Sequence, residues 1–245
     1  MPKSKRARVV HTSVVQKKAS KEKSASLYAA VQAAADSHSH IFVFSVENMR
    51  NTYLKDVRQE FSDSRLFFGK TKVMAKALGS SPEDEHAPGL HKLEKYLKGN
   101  VGLLCTDRAP KEVLEYFEGY VEVDFARAGT RATRKVVIPA GTVYSRGGEV
   151  AVEDDVPLPH SLEVTVRKWG MPTRLEKGKV LLDQEYTVCE EGKELNSHQT
   201  ALLKLFGIAM AEFKVDVRAY WSAATQDVTE VDSQAGAGAM EEGSS

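Results

Sequence analysis

Apolar residues along the first half of the chain form two alternating patterns. Short apolar runs predict strands at 41–46, 65–68, 101–105 and 120–125. Helical spacing of apolar residues predicts helices over 24–36, 51–63, 70–78, 90–97 and 109–119. The first run has the length and composition of a strand that is buried on both faces. The alternation predicts a layered α/β domain, close to an α+β arrangement, with a central sheet and flanking helices.

The pattern changes after residue 126, where turn residues multiply and helical signals fade. The β-rich stretch 127–197 predicts a small insertion domain. After it, Ser197 can cap a helix, and the strict alternation over 213–221 predicts a half-buried strand. We therefore expect an interrupted first domain, formed by 24–126 together with 198–221.

Length and composition allow one large core or two small ones, because the chain has 245 residues of which 42% are hydrophobic. No window approaches 18 consecutive apolar residues, so we expect no membrane-spanning helix and no membrane partner. The N-terminal residues have no apolar segment of the kind found in secretory signals. Without export, Cys105 and Cys189 are expected to be reduced core thiols rather than a disulfide.

Charge is distributed unevenly, although the net charge is zero. We treat residues 1–23 as a basic extension, with a net charge of +7, and 222–245 as a disordered acidic tail, with a net charge of −5. A basic extension suggests an anionic partner, but a solubilising segment or a nuclear-import signal fits it as well. The basic residues nearest the predicted domain are Lys17, Lys18, Lys21 and Lys23.

The stretch "FFGKTKVMAKAL" (67–78) places a glycine between an apolar run and a lysine-rich helix. It is not a P-loop, because Ser64 stands where that motif requires its first glycine. A helix that begins just after Gly69 would still present backbone N–H groups and a partial positive charge to an anion, with Lys70 and Thr71 beside them. Lys72 and Lys76 are neighbours on one helical face, which is either an anion-binding surface or an ordinary solvated face.

Further candidates lie at equivalent places in the predicted topology. Arg50 and Asn51 follow the first strand as Gly69 and Lys70 follow the second, and such sheets bind ligands beyond their strand ends. The segments "KGN" (98–100) and "ARAGTRATRK" (126–135) combine basic side chains with small residues. The second is either a phosphate-gripping segment or a flexible interdomain hinge, or both.

The sequence contains no complete motif for a catalytic site or a metal site. His38 and His40 lack the further ligands that a metal site needs, and we interpret them as solvent-facing loop residues. We interpret the acidic segments 83–86 and 153–155 as solvated, although the second could bind a divalent ion weakly. Trp169 is either a contact point of the insertion or part of its core. We therefore expect no catalytic residue, no resident metal and no cofactor.

Several of these motifs together resemble a known family. The segments "FFGKTKVMAKALG", "KGNVGLLCTD" and "FARAG…VVIPAG" are similar to the L10-type stalk-base proteins of the large ribosomal subunit. The segments "PAGTVYSRGGEV", "EDDVPLPHSLE" and "LKLFGIAMAEFKVDVRAYW" are closer to the assembly-factor branch of that family. The resemblance covers about residues 1–221.

The resemblance implies an L10-type RNA-binding domain and a role in ribosome biogenesis. Such a protein would bind large-subunit rRNA near the GTPase-associated region of a precursor particle, in the nucleolus and nucleus, with shuttling to the cytoplasm as a further expectation. It would act as a monomer beside a neighbouring stalk-base ribosomal protein. The stalk-base protein of its own family would later replace it, with help from a phosphatase-like release factor. The expected rRNA-binding residues are Lys17, Lys18, Lys21, Lys23, Arg50, Asn51, Gly69, Lys70, Thr71, Lys72, Lys76 and Asn100.

Alternatives remain open at the level of sequence. A short but true stalk-base ribosomal protein would stay on mature ribosomes. The chain ends 24 residues after Trp221, without the helices that bind acidic stalk partners in those proteins, so we expect a placeholder instead. A metal-dependent nuclease or phosphatase would use the acidic segments, and direct binding to messenger RNA is a third possibility.

Overall fold

The computed structural model of the chain describes residues 13–231, and it describes side chains from Lys21 onward. These residues form two compact units, the first ending at Tyr120 and resuming at Lys214, and the second spanning Val121–Phe213. Among the described helices, none combines the length and apolar character that a membrane span requires.

The helices and strands are numbered in chain order. The α-helices are α1 (Ser13–Ser37), α2 (Asn51–Glu60), α3 (Thr71–Leu78), α4 (Pro110–Gly119), α5 (Glu163–Lys168) and α6 (Ser197–Leu205). The 3₁₀ helices cover Leu90–Tyr96, Val152–Asp154 and His160–Leu162. The strands are β1 (His40–Glu47), β2 (Arg65–Phe67), β3 (Val101–Thr106), β4 (Val121–Asp124), β5 (Val136–Ile138), β6 (Gly141–Thr142), β7 (Thr173–Glu176), β8 (Lys179–Leu182), β9 (Tyr186–Cys189), β10 (Ala211–Ser222) and β11 (Asp227–Glu230).

The first unit is built on an antiparallel sheet with the strand order β11-β10-β1-β3-β2. In the register, Ser45 on β1 lies opposite Val101 on β3 and Asp216 on β10. Both β1 and β2 run antiparallel to β3, which lies between them. The C-terminal ends of β1 and β2 and the N-terminal end of β3 therefore meet at one edge of the sheet.

Both faces of this sheet are covered, as the apolar run at 41–46 predicts. On one face, Ile41 and Val43 join a core that α1, α3 and the 3₁₀ helix Leu90–Tyr96 complete. On the other face, the ring of Phe44 stacks on Phe117 of α4 at a centroid distance of 6.3 Å. The layered α/β architecture is confirmed, although its sheet is antiparallel throughout the pairs just given.

The second unit has its own core and two small sheets. One sheet pairs β5 with β9, and the other has the order β6-β8-β7. We call residues 126–135 the arginine-rich segment, and backbone hydrogen bonds join it to residues 192–195. Gly129 N–H donates to Leu195 O, and Ala132 N–H donates to Lys193 O, both at 2.9 Å. This ladder holds 129–132 inside the unit, so the interpretation of that part as a flexible hinge is wrong.

Two expected boundaries are wrong. Helix α6, which we assigned to the first domain, packs Leu202 and Leu203 into the core of the second unit. The residues after 221 include strand β11, so the expected disorder does not begin at 222; Val228 packs against the core of the first unit. The remainder of the predicted tail, 232–245, lies outside the described residues.

Helix boundaries also differ from the expected ones. Helix α1 begins at Ser13, so the basic stretch from there to Lys23 is continuous with the predicted helix rather than a separate extension. Leu90–Tyr96 is a 3₁₀ helix, because apolar residues spaced by three, such as Leu90 and Leu93, suit three residues per turn. The cap of α6 is Asn196, one residue before the expected Ser197.

Candidate nucleic-acid interface

One edge of the first unit's sheet gathers residues that are distant in the sequence. Arg50 and Asn51 follow β1, Gly69 follows β2, and Asn100 precedes β3. The backbone joins two of these segments, since Val46 N–H donates to Asn100 O at 3.2 Å. The expectation that the segments after β1 and β2 share an edge is therefore confirmed. The physical reason is the antiparallel strand between them, rather than a parallel sheet.

Helix α3 turns its lysines outward and its apolar residues inward. Lys72 and Lys76 are exposed, whereas Met74 and Leu78 are buried in the core, as the sequence pattern predicts. Lys70 is the N-cap residue. Among the described residues, no acceptor is hydrogen-bonded to the amides of Thr71 or Lys72. The start of α3 therefore offers backbone donors and the positive end of a helix dipole beside two lysine side chains.

Helix α1 packs directly on the segment that precedes α3. The amino group of Lys70 lies 3.4 Å from Ser24 Oγ, and Leu27 lies against Gly69. Lys21 and Lys23, just before Ser24, are exposed. Lys17 and Lys18 lie on the same helix, but their side chains lie outside the described residues. The glycine thus serves close helix packing, a role that its sequence context did not reveal.

Three lysines of this surface have no acid close by among the described side chains. Within residues 21–231, no carboxylate oxygen lies within 4.0 Å of the amino groups of Lys72, Lys76 or Lys98. Some lysines elsewhere do have such a partner, as Lys111 does at 3.6 Å from Glu115 on α4. Like charges on one surface without counter-ions raise the local positive potential, which favours a polyanionic ligand.

The histidines near the start of β1 are not solvent-facing, so that interpretation is wrong. His38 Nδ1 lies 3.2 Å from Asp107 Oδ2, and its side chain is only 12% exposed. His40 Nδ1 is buried and has no hydrogen-bond partner among the described residues, and burial lowers the pKa of His40. In residues 13–231, no group of three or more His, Cys, Asp or Glu side chains could hold a metal ion.

Two acidic segments also have structural roles. Glu85 accepts a hydrogen bond from Gly89 N–H at 2.9 Å and pairs with His91, and His86 lies 2.7 Å from Asp36 on α1. The interpretation of 83–86 as a solvated loop is therefore wrong for Glu85 and His86. In the second unit, Asp155 accepts from Arg146 N–H at 2.8 Å.

Two other candidates in the second unit also have structural partners. Trp169 packs against the core, which excludes its interpretation as a contact point alone. In the arginine-rich segment, Arg134 forms a two-pronged ion pair with Glu149, with distances of 2.8 and 2.7 Å. Arg127, Arg131 and Lys135 are exposed.

A basic groove beside α3 was missed by sequence reasoning. It encloses about 780 Å³ between α3 and the 3₁₀ helix Leu90–Tyr96. Lys92, Lys95 and Lys98 line it together with Lys72. The signal was present, since Lys92 and Lys95 are spaced by three and share one face of a helix with three residues per turn.

Comparisons with known proteins agree with the two units. A sequence model of the family described as "Ribosomal protein L10" matches residues 18–121. A second model, described as the insertion domain found in the 60S ribosomal protein of this family, matches residues 126–208, which include α6. The chain is 53% identical to the ribosome assembly factor mrt4 of Neurospora crassa, over 98% of each chain.

More distant relatives extend the comparison. Identity to the ribosome assembly factor MRT4 of Saccharomyces cerevisiae is 41%, over 90% of this chain and 94% of that one. Identity to the large ribosomal subunit protein uL10 of Thermococcus gammatolerans is 25%, over 81% of this chain and 56% of that protein. The chain is therefore more similar to the assembly factors than to uL10, and it covers nearly the whole length of the assembly factors.

Proposed function

Since the chain belongs to the mrt4 family of ribosome assembly factors, within the wider L10 family, we propose that it binds large-subunit rRNA at the stalk base of precursor particles. It holds this site, in the GTPase-associated region, until the stalk-base ribosomal protein takes its place. The similarity of the chain to both mrt4 and uL10 supports this replacement, because proteins with related folds can occupy one RNA site in turn.

The observation that carries the proposal is the shared edge of the sheet. Arg50 and Asn51, the start of α3 and Asn100 meet there, although the chain brings them from three separate segments. A surface assembled in this way can contact several phosphates of a folded RNA at once. The exposed lysines Lys72 and Lys76 extend it along α3.

Binding follows from charge and shape, without a chemical step. Lysine and arginine side chains neutralise phosphates and release counter-ions, so the affinity falls as salt rises. The free amides at the start of α3 position one phosphate through hydrogen bonds. Because structured RNA is recognised mainly by shape and backbone contacts, specificity comes from the fold of the rRNA more than from base reading.

Location and release follow from the same proposal. The protein acts as a monomer within the nucleolar and nuclear precursor, and shuttling would carry it to the cytoplasm. A neighbouring stalk-base ribosomal protein binds beside it. The stalk-base protein that replaces it competes for the overlapping RNA surface, and a phosphatase-like release factor assists the exchange. No catalytic residue, metal or cofactor takes part.

The decisive experiment reverses the charge of the α3 surface in the full-length protein. Lys70→Glu, Lys72→Glu and Lys76→Glu are combined in one variant. The control combines Lys111→Glu, Lys179→Glu and Lys193→Glu, the same charge change at exposed lysines elsewhere. We expect the first variant to stay folded and to leave the precursor fraction in sedimentation, whereas the control remains there. Normal co-sedimentation of the α3 variant would reject the proposal.

A retained stalk-base ribosomal protein is the alternative that the uL10 similarity keeps open. Cross-linking in cells followed by RNA sequencing separates the two functions. Stalk-base reads together with unprocessed spacer support an assembly factor. The same reads from mature translating ribosomes alone support a ribosomal protein, and reads scattered over messenger RNA contradict both.

A further inference from the structure

A groove lined by amino groups runs between α3 and the 3₁₀ helix Leu90–Tyr96, and we call it the lysine groove. Its floor is apolar, formed by Ala75, Leu97 and Val228. Its polar lining consists of Thr71, Lys72, Ser80, His91, Lys92, Glu94, Lys95 and Lys98. The lining residues carry a net positive charge, since they include four lysines and one glutamate and His91 is already engaged by Glu85.

The lysine groove is continuous with the sheet edge described above. Lys72 belongs both to the exposed face of α3 and to the groove. At the same end, Lys98 lies two residues before Asn100, which marks that edge. An RNA strand that contacts the edge therefore reaches the groove without turning away from the protein surface.

The lysines along one wall are spaced to follow a phosphate chain. Lys92 and Lys95 are one turn apart on the 3₁₀ helix, so their Cα atoms are about 6 Å apart along its axis. This is comparable to the distance between successive phosphates along an extended RNA strand. The groove is open enough for a strand and has lysines along its length, which suits a sugar–phosphate backbone better than a compact anion.

Strand β11 carries acids to the far end of the lysine groove. Asp227 lies 2.7 Å from the amino group of Lys92, and Glu230 lies 3.9 Å from that of Lys95. Both carboxylates are more than 60% exposed, so these ion pairs are weak and open to exchange. By contrast, among residues 21–231, no carboxylate oxygen lies within 4.0 Å of the amino group of Lys72 or Lys98.

Resting on the function proposed above, we infer that the lysine groove holds the phosphate backbone of an RNA segment continuing from the sheet edge. In the same site, Asp227 and Glu230 compete with the phosphates for Lys92 and Lys95. At the end near Asn100, the lysines bind phosphate without competition. At the end beside β11, they bind phosphate only after the carboxylates of Asp227 and Glu230 have dissociated from them. This arrangement limits affinity at one end of the groove, where a strand can begin to detach.

The test measures binding of the full-length protein to a transcript of the stalk-base region at several salt concentrations. Lys95→Gln combined with Lys98→Gln removes two groove contacts. We expect the Kd to rise about tenfold, and the slope of log K against log salt to become shallower by about 1.4, at about 0.7 per lost contact. Lys111→Gln combined with Lys179→Gln is the matched control and should change neither quantity appreciably.

Competition is tested by removing the acids. Asp227→Asn combined with Glu230→Gln should lower the Kd severalfold, with the largest effect at low salt. Glu230→Gln alone leaves the hydrogen bond from Val228 N–H to Asp227 intact and should give a smaller change in the same direction. Unchanged or weaker binding by both variants would overturn the competition.

Failure of the groove and failure of the proposed function give different results. In one outcome, the groove variants bind like the control while Arg50→Gln combined with Lys76→Gln lowers the affinity for the transcript. That result would show that the inference about the groove is wrong and would still support rRNA binding at the sheet edge and α3. If the unmodified protein binds the stalk-base transcript no better than a messenger transcript of equal length, the proposed function itself is wrong.

Discussion

Gly69 lies so close to Leu27 that a side chain on residue 69 would meet it: a Cβ there would be 2.9 Å from Leu27 Cδ2. The contact brings α1, with its basic N-terminal half, against the start of α3. The geometry of the candidate RNA surface therefore depends on an apolar contact as well as on its charges.

Substitution of Gly69 tests this dependence. Gly69→Ala should cost less than about 1 kcal/mol, because the methyl group of Leu27 can move aside, whereas Gly69→Val should cost about 1–3 kcal/mol through overpacking. The larger side chain should also weaken binding to the stalk-base transcript by displacing α1. Denaturant unfolding and a binding titration measure the two effects, and equal behaviour of both variants would contradict the packing role.

Gly102 in β3 should be far less tolerant of substitution. A Cβ at this position would lie 2.5 Å from Phe44 Cζ and 2.7 Å from the backbone oxygen of Phe67. Gly102→Ala should therefore destabilise the protein by about 1–3 kcal/mol.

Gly119 is the matched control for Gly102, because nothing lies within 4 Å of a Cβ there. Gly119→Ala should be neutral or stabilise by up to about 1 kcal/mol, since it restricts only the unfolded chain. Denaturant unfolding of both variants measures the difference. A stable Gly102→Ala variant would mean that β2 and β3 can separate without loss.

Asn196 and Ser197, at the start of α6, should differ in how much they contribute to stability. Asn196 Oδ1 accepts from the backbone N–H groups of His198 and Gln199, both at 2.9 Å, and Gln199 completes a capping box. Asn196→Ala should cost about 1 kcal/mol, whereas Ser197→Ala, already inside the helix, should cost little. Thermal unfolding that follows the second unit checks this, and the reverse order would restore Ser197 as the cap.

Both cysteine thiols should be unreactive in the folded protein. Burial raises the pKa of Cys105 to about 12, and burial also raises the pKa of Cys189. Since the thiolate is the reactive form, a thiol reagent at about pH 8 should label neither residue before unfolding and both afterwards. Rapid labelling of one thiol in the native state would show that its part of the core opens readily.

Asp107 should contribute a pH-dependent part of the stability. Hydrogen bonds from the backbone N–H and the hydroxyl of Ser39, together with His38, lower the pKa of Asp107. A lowered folded-state pKa adds stability that is present above the ordinary carboxyl value of 3.8 and is lost as the pH falls through the lower value.

The variant Asp107→Asn isolates that contribution. It should be less stable than the unmodified protein at neutral pH by no more than about 1 kcal/mol, because the carboxylate is exposed. The difference should shrink as the pH falls below 3.8. Denaturant unfolding at both pH values measures it, and a constant difference would assign the effect to lost packing instead.

Periodicity along the chain predicted most elements of the first unit and the faces that they bury. The apolar run at 41–46 predicted a strand covered on both faces, and Met74 and Leu78 were correctly predicted on the inner side of α3. The reason is local: which side chains share a face depends only on residues per turn or per strand repeat.

Partners between distant elements could not be predicted in the same way. Strand β11 has the mostly polar sequence "DVTE", and it forms through contacts with distant residues. It pairs with β10, Asp227 contacts Lys92, and Val228 packs against the core. Helix α6 has an apolar face that would fit either core, and the tertiary structure placed it in the second.

The sequence by itself therefore determined the charges, the helical and strand repeats and the family to which this protein belongs. Only the tertiary structure decided that an antiparallel β3 brings Asn100 to the edge shared by Arg50 and the start of α3, and that Lys92 and Lys95 face β11. The physical reason is that a local pattern specifies which face of an element is apolar. It does not specify which of several apolar faces will cover it, because that choice depends on the packing of the whole unit.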